Sequence, residues 1–497
     1  MSLPTQRSDS IARNAVFALG SQATSAAFTA VITLFLVRAL DPTGYGVFVL
    51  ALSIATIVAF PADFGVSLAA ARFIAERRGD ARAVAAVLAR ALGLKLVLMP
   101  LVAAALIALA GPIASLYDQP DLASPLRAVA IALVGQNLVF LVANTFVAMG
   151  RVSWQFVLIL CEAAIEATAT IGFVLLAGGA TAAMLGRAVG YCVGALIGAA
   201  LILRLVGRRA FSERRGGPRL RHLGTYAGAL LIVDGAYAVF SQVDVLLVGG
   251  LLGATAAGVY GAPIKLAVLV NYTGLSLAQA IAPRLASHPD HPPDVPALAG
   301  GVRLLLIVQL PIAVAIAVWA TPIADLVLGP GYEDSAAVLR ALAPFMFLSG
   351  IGPLASTAVN YVGEARRRVP IAIGCAVLNV VLAVALIEAV GITGAAISVD
   401  VTYGIYVGAH IWICRRLLGL PIRPLVATVG RTLPAGIALA GLLVVLGTDE
   451  LTALAWVTGI VGGAGVFVGS LILAGETSVA ELRGLVTAAR QRLRPAN

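Results

Sequence analysis

Residues 181–222 read TAAMLGRAVGYCVGALIGAALILRLVGRRAFSERRGGPRLRH. Between Thr181 and Leu203 the one charged side chain is Arg187. A helix over 181–204, rising ~1.5 Å per residue, crosses the ~30 Å hydrocarbon core of a bilayer. The chain then turns abruptly basic: Arg204, Arg208, Arg209, Arg214, Arg215, Arg219 and Arg221 precede His222. An apolar span followed by a short, arginine-crowded loop is the mark of a polytopic membrane protein whose basic loops stay cytoplasmic.

The rest of the chain repeats that alternation. Of its 497 residues 60% are hydrophobic and only 12% charged, with a mean hydropathy of +0.99. A soluble globule of this length carries about twice that charge. Fourteen apolar segments lie near residues 15–37, 46–70, 91–112, 126–149, 153–177, 181–204, 224–249, 256–284, 302–324, 337–361, 369–390, 392–414, 424–446 and 451–474; they are called spans 1 to 14 below. The polar opening MSLPTQRSDSIARN before a long apolar run predicts no cleavable signal peptide. With the N-terminus cytoplasmic, 26 of the 34 cations fall on the inner side, and Asp41, Asp118, Asp121, Glu333, Asp334, Asp449 and Glu450 collect on the outer side. One helix more or fewer would scramble that bias, so the expected count is fourteen with both ends inside.

The net charge of +10 is spread over these loops and not gathered on one face, which argues against nucleic acid as a partner. Cys161, Cys192, Cys375 and Cys414 are isolated, and the four histidines are scattered, so no metal site is expected. No Walker A sequence, GxSxG elbow or HExxH is present.

The chain also repeats itself. Gly46-Val47-Phe48 matches Gly258-Val259-Tyr260, Arg72 matches Arg284 and Ala143-Asn144-Thr145 matches Ala355-Ser356-Thr357, all at an offset of 212. Leu126-Arg127-Ala128 and Ala182-Ala183 recur at 339–341 and 395–396, one residue later. The repeats hold six spans each and enter the membrane in the same direction, an arrangement that puts a substrate site between two lobes. The expected units are an N-lobe (1–205), a basic cytoplasmic linker (206–223), a C-lobe (224–416), spans 13 and 14 (424–474) and a cytoplasmic tail (475–497). In the tail Val479, Leu482, Val486, Ala489 and Leu493 oppose Arg483, Arg490 and Arg494, as in an amphipathic helix on the inner leaflet, with a frayed tail as the alternative.

Three stretches resemble a known family. RALDPTGYGVFVLALS followed by ADFGVSLAAARFIAE resembles the opening of the polysaccharide biosynthesis proteins. SQVDVLLVGGLLGATAAGVYGAPIKL with AIAPRLA resembles the start of their second lobe, and NYVGEARRRVPIAIGCAVLNVVLAVALIEAVGITGAAIS their spans 10 to 12. These are the O-antigen and exopolysaccharide flippases of the multidrug/oligosaccharidyl-lipid/polysaccharide exporter superfamily, and the resemblance covers roughly residues 12–415. It implies an all-α, V-shaped pair of six-helix lobes working by alternating access in a bacterial inner membrane. The implied cargo is a polyprenyl-diphosphate-linked oligosaccharide; membrane lipid, a glycan polymerase and assembly proteins are the implied partners. Related lipid II flippases carry a cation shortly after an aromatic residue at the start of span 8, and here Lys265 follows Tyr260 in that way. Their further cations in spans 1 and 2 have no counterpart, which disfavours a peptidoglycan precursor.

Flipping breaks no covalent bond, so no cofactor is expected beyond a coupling proton or sodium ion. Ionisable residues inside spans mark pathways by default. Lys265 lies ~13 Å below the outer surface by helical rise, either as a diphosphate-attracting cation or as the partner of Asp244 on span 7. Arg187 and Glu166 sit at similar depth and are expected to bridge spans 5 and 6. Glu162 lies one turn from Glu166, so a single nearby cation leaves one carboxylate to titrate. Glu162 and Glu166, with Asp234 and Asp244, are therefore the ion-coupling candidates. Lys265, Arg187, Arg72 and Arg284 are the cationic substrate-binding candidates, the last two as greeters at the inner mouth or plain positive-inside anchors. Asp234, Asp400 and Arg431 have no evident partner, and Lys95 has no role beyond snorkelling. Asn137, Asn144, Gln242, Asn271 and Gln279 offer hydrogen bonds to sugars or between helices.

Two other classes compete. A drug or organic-cation exporter of the same superfamily would have twelve spans and an anionic cavity. A membrane glycan polymerase or glycosyltransferase would need a large outer loop or an acidic metal motif, and every expected outer loop is short. A non-transporting subunit of a glycan assembly complex is a third alternative.

Overall fold

The computed structural model describes residues 11–213, 224, 227, 228, 231, 235–285 and 293–477. The described chain is helical, without a strand. By length and composition twelve helices can cross a membrane, thirteen when the bent pair Ser335–Ala341 and Ala343–Tyr361 counts as one. The helix Val243–Leu285 is non-helical at Gly253 (φ 87°), and that break separates the expected seventh and eighth spans. The fourteen apolar segments are predominantly helical over their described residues. Bulky apolar side chains such as Leu176 (87% exposed) and Leu473 (91%) point outward, as the lipid-facing shell of a multi-pass membrane protein requires.

Breaks fall where the chain supplies a reason. Span 2 runs from Pro42 to Asp63 and restarts as Val66–Ala75; Phe64 and Gly65 between them both take positive φ, 51° and 68°. Phe64 pays for this with strain, because its Cβ crowds the following carbonyl in that conformation. Span 3, Ala81–Leu116, starts about ten residues before its apolar core, capped by Asp80 through the Arg82 and Ala83 amides. Span 10 bends by 42°, and Asp400 of span 12 explains one end of the bend: its Oδ1 accepts the Phe345 N–H at 2.9 Å. Asp400 thus satisfies a backbone group that the bend frees.

Within the N-lobe, span 6 (Gly179–Val206) packs on spans 4 and 5 (Ala123–Ala148 and Val152–Ala177). Gly190 and Gly194 make this approach possible. A Cβ on Gly190 would meet the Glu166 backbone at 2.6 Å, and one on Gly194 the Glu162 side chain at 2.8 Å. The stripe presses span 6 against the face of span 5 that bears both carboxylates.

The two repeats meet through spans 2 and 8, near Asp41. Thr43 and Thr255, 212 positions apart, share a hydrogen bond of 2.8 Å. A Cβ on Gly46 would lie 1.8 Å from Ala254 O, and one on Gly258 1.9 Å from Pro42 O. Each residue of one helix thus meets the counterpart of its own neighbour on the other, which happens only beside an axis relating the halves. The recurrence of 46–48 at 258–260 has this contact as its physical basis.

Spans 13 and 14 (Ile422–Leu446 and Ala453–Leu473) lie against span 9 (Val295–Val318). Trp319 donates to Gly447 O (3.0 Å) and stacks edge-on against Trp456. A π-turn at Thr458–Gly462 makes room, since any Cβ on Gly459 would sit 1.9 Å from the Trp319 ring. At the opposite face Glu476 accepts from Arg303 Nε (2.7 Å), Thr428 Oγ1 (2.7 Å) and Arg431 (3.3 Å). Arg431 thereby gains the partner that the sequence did not reveal. The amphipathic pattern beyond residue 477, the loop 214–223 and Asp234 lie outside the described residues.

Candidate functional site

A cavity of about 450 Å³ opens between the N-lobe and span 8. Span 1 contributes Ser25, Thr29 and Thr33, span 2 Tyr45 and Thr56, and span 4 Gln136. Span 5 contributes Glu162 and Glu166, span 6 Arg187 and Tyr191, and span 8 Lys265 and Tyr272. Four of the eight candidate residues therefore share one cavity.

Arg187 pairs with Glu166, as the depth argument expects, and also donates to Tyr191 Oη at 2.8 Å, with its guanidinium 4.9 Å from that ring. Tyr191 follows Arg187 by one helical turn, so the spacing was available in the sequence. Glu162 is 6% exposed, and its Oε1 has no hydrogen-bond partner. The Glu166–Arg187 pair is thus completed without Glu162, and a buried carboxylate oxygen remains open to a proton or a cation.

Lys265 is half-buried, lines the cavity and makes no hydrogen bond or ion pair among the described residues. The expected alternative, a Lys265–Asp244 bridge, is not formed. Asp244 turns instead to Tyr260, whose hydroxyl donates to Oδ2 at 2.5 Å. Tyr260, which reaches Asp244, and Lys265 stand five residues apart on span 8 and so leave it in different directions, which residue depth alone does not reveal.

Arg72 and Arg284 do not line this cavity. Arg72 is half exposed and lies 3.6 Å from Glu76, its i+4 neighbour, whereas Arg284 pairs with Asp294 at 2.5 Å. Asp294 also caps span 9 through the Ala297 amide. Among the described residues no group of three His, Cys, Asp or Glu side chains is arranged to hold a metal ion.

A second chamber of about 280 Å³ shares Thr56, Gln136 and Phe140 with the first and continues to Asp63, Gly65 and Asn137. Asp63 was not singled out in the sequence, and its partner is Lys95. Lys95 does not snorkel: it is 0% exposed and donates to Asp63 Oδ1, to Asn137 O at 3.0 Å and to Asn137 Oδ1 at 3.4 Å. Asn137 thus serves as a bond between helices.

Comparison with solved structures places this architecture. The fold is similar to a structure titled lipid II flippase MurJ, inward closed conformation, with a TM-score of 0.69 and 11% identity over 92% of this chain and 97% of that one. It is similar to an inward-facing multidrug resistance MATE family transporter of the MOP superfamily (TM-score 0.60, 16% identity, 82% and 98% covered). It also resembles the eukaryotic MATE transporter AtDTX14 (0.64, 13%, 81% and 95%). At these identities the likeness is one of fold. No curated protein matches the sequence significantly. The family profile described as polysaccharide biosynthesis protein matches residues 11–288, more than half of the chain and including both helices that meet at Thr43 and Thr255. The chain belongs to the polysaccharide biosynthesis protein family.

Proposed function

We propose that the protein is a flippase carrying a polyprenyl-diphosphate-linked oligosaccharide from the inner to the outer leaflet of a bacterial cytoplasmic membrane. Its arginine-rich face and both termini would be cytoplasmic. The reading rests on one observation: Lys265 faces a membrane-embedded polar cavity and makes no hydrogen bond or salt bridge among the described residues. An unpaired ammonium is costly in such a place unless an anion visits it. The diphosphate would meet Lys265, while cavity side chains such as Thr29, Thr33, Gln136 and Tyr272 would offer hydrogen bonds to sugars. The polyprenyl tail would stay in lipid. Glu162 is the coupling candidate, for a proton or sodium ion, because its free oxygen lies in the same cavity as Lys265. Arg187 is held by Glu166 and would contribute after that pair opens. Arg72 and Arg284 fit positive-inside anchors better than substrate ligands, given their acidic neighbours.

The crossing of spans 2 and 8 closes the cavity toward the outer face in this reading, so transport requires Thr43 and Thr255 to separate. Lys265→Ala should lower flipping at least tenfold in a strain that accumulates lipid-linked repeat units without this protein, whereas Lys265→Arg should retain most of it. Full transport by Lys265→Ala would overturn the reading. A crosslink between Thr43→Cys and Thr255→Cys should arrest transport, and reduction should restore it.

Glu162 also gives the organic-cation exporter a specific foothold, since a buried open carboxylate attracts cations as readily as protons. Ethidium transport by the purified protein that is lost in Glu162→Gln and indifferent to Lys265→Ala would favour that second reading.

A further inference from the structure

Lys95 takes no part in the transport reading, and it is the most completely buried cation of the described chain, at 0% exposure. Its ammonium has a particular set of neighbours: one carboxylate oxygen of Asp63, the backbone carbonyl of Asn137 and the side-chain carbonyl of Asn137. All are hard oxygen donors, converging from spans 2 and 4 on a single positive charge. That is the ligand chemistry of a small monovalent cation, and an ammonium group is close in size to potassium.

The remaining contacts of Asp63 show what the charge is for. Ser67 donates to Asp63 twice, from its hydroxyl to Oδ1 at 2.5 Å and from its amide to Oδ2 at 3.3 Å. Asp63 therefore ends one half of span 2 and caps the other, across the strained Phe64 and Gly65. A carboxylate used this way inside a membrane needs a cation beside it. Span 3 delivers one on a tether. Arg72 and Glu76, farther along the same half-helix, face each other, and among the described residues Lys95 is the one charged group bonded to Asp63. The 280 Å³ chamber is lined by Asp63 and Asn137 and borders the main cavity at Thr56, Gln136 and Phe140, so the node lies beside open space.

We propose that Asp63 and Asn137 form a monovalent-cation site that the chain fills with its own Lys95 ammonium, and that this occupancy holds the break in span 2. The tether gives Lys95 a high effective concentration at the site, so sodium or potassium does not compete in the native protein. Removing the side chain hands the site to free cations.

The test is the thermal stability of detergent-solubilised protein, followed by gel filtration, in choline, sodium, potassium and ammonium chloride at equal ionic strength. Any cation response of the native protein serves as the baseline. Lys95→Ala should melt at least about 5 °C below native in choline. It should recover half or more of that loss in at least one of the three smaller cations. The added response should vanish in Asp63→Asn/Lys95→Ala, which has no carboxylate to balance. A melting temperature of Lys95→Ala that tracks the native response in all four salts would overturn the proposal, as would recovery that persists in the double variant. If Lys95→Ala gives no folded peak in any salt, the proposal also fails, whether or not the double variant folds: the site then either cannot recruit a free cation or needs more of lysine than its charge. A folded peak that appears in ammonium or potassium but not in choline would support it.

Discussion

The two lobes solve the same packing problem with different chemistry. In the N-lobe, spans 2, 3 and 4 are joined by Asp63, Lys95 and Asn137. In the C-lobe the corresponding spans 8, 9 and 10 are joined by Thr273, Gln309 and the Ser349–Gly350 turn. Ser349 stands 212 positions after Asn137, the offset of the repeat. With the Gln309 amide turned to satisfy both its ends, its nitrogen donates to Phe347 O at 3.0 Å, and its oxygen accepts from the Gly350 amide at 2.9 Å and from Thr273 at 3.2 Å. One node is ionic, beside a broken helix and a chamber. The other is neutral, and its backbones all but touch: any Cβ on Gly274 would lie 2.1 Å from Gly350 O. Each lobe thus carries a polar tie between three spans, built from its own residues.

The difference makes unequal predictions. Lys95→Met should have the largest effect, because it strands the Asp63 carboxylate; about 3–5 kcal/mol of stability is at stake, read as loss of protein from the membrane fraction. Restoring neutrality with Asp63→Asn/Lys95→Met should return most of that accumulation. Failure to do so would mean that the ion pair is not what distinguishes the N-lobe node. Gln309→Met, the matching change in the C-lobe, should cost about 1–3 kcal/mol, since it orphans one amide and one carbonyl but no charge. An equal loss from Gln309→Met and Lys95→Met, measured by thermal melting in detergent, would erase the distinction.

The smallest effect concerns Glu476, which binds the two added spans to span 9 at the arginine-rich face. Burial pushes its carboxyl upward, but hydrogen bonds from Arg303, Thr428 and Arg431 and the charge of Arg303 outweigh this and hold it below its ordinary range. A depressed carboxyl contributes stability above its unfolded pKa of about 4.3, and loses it as pH falls through the lower folded value. Glu476→Gln should therefore lower the melting temperature by a degree or two at pH 7 and by nothing at the acid end of the profile. A shift independent of pH would point to packing alone.

The sequence made the ion pair of span 5 with span 6 legible, since Glu166 and Arg187 lie at equal depth on consecutive helices. It also put Lys265 in a span with a plausible partner, yet could not choose between cavity and partner, because the choice rests on side-chain direction. Lys95 and Asp63 were missed for a related reason. They are 32 positions apart, on spans whose mutual rotation no local pattern records, and the apolar segment 46–70 reads as one span, with nothing to show the break beside Asp63. Arg72 and Arg284 stand one repeat offset apart in sequence, but only the structure shows their acidic neighbours Glu76 and Asp294.

By itself the sequence determined that lipid is the solvent and that the chain is a multi-pass bundle of helices. Each follows from composition or periodicity along the chain, and the energy of placing apolar and basic residues in a bilayer acts segment by segment. The tertiary structure alone decided which buried charges are spent on one another and which stay open. Lys95 and Lys265, the chain's two lysines, read alike in sequence. One is caged by three oxygens and the other faces a cavity, because pairing energies depend on angstrom distances between helices that meet only after the fold is made.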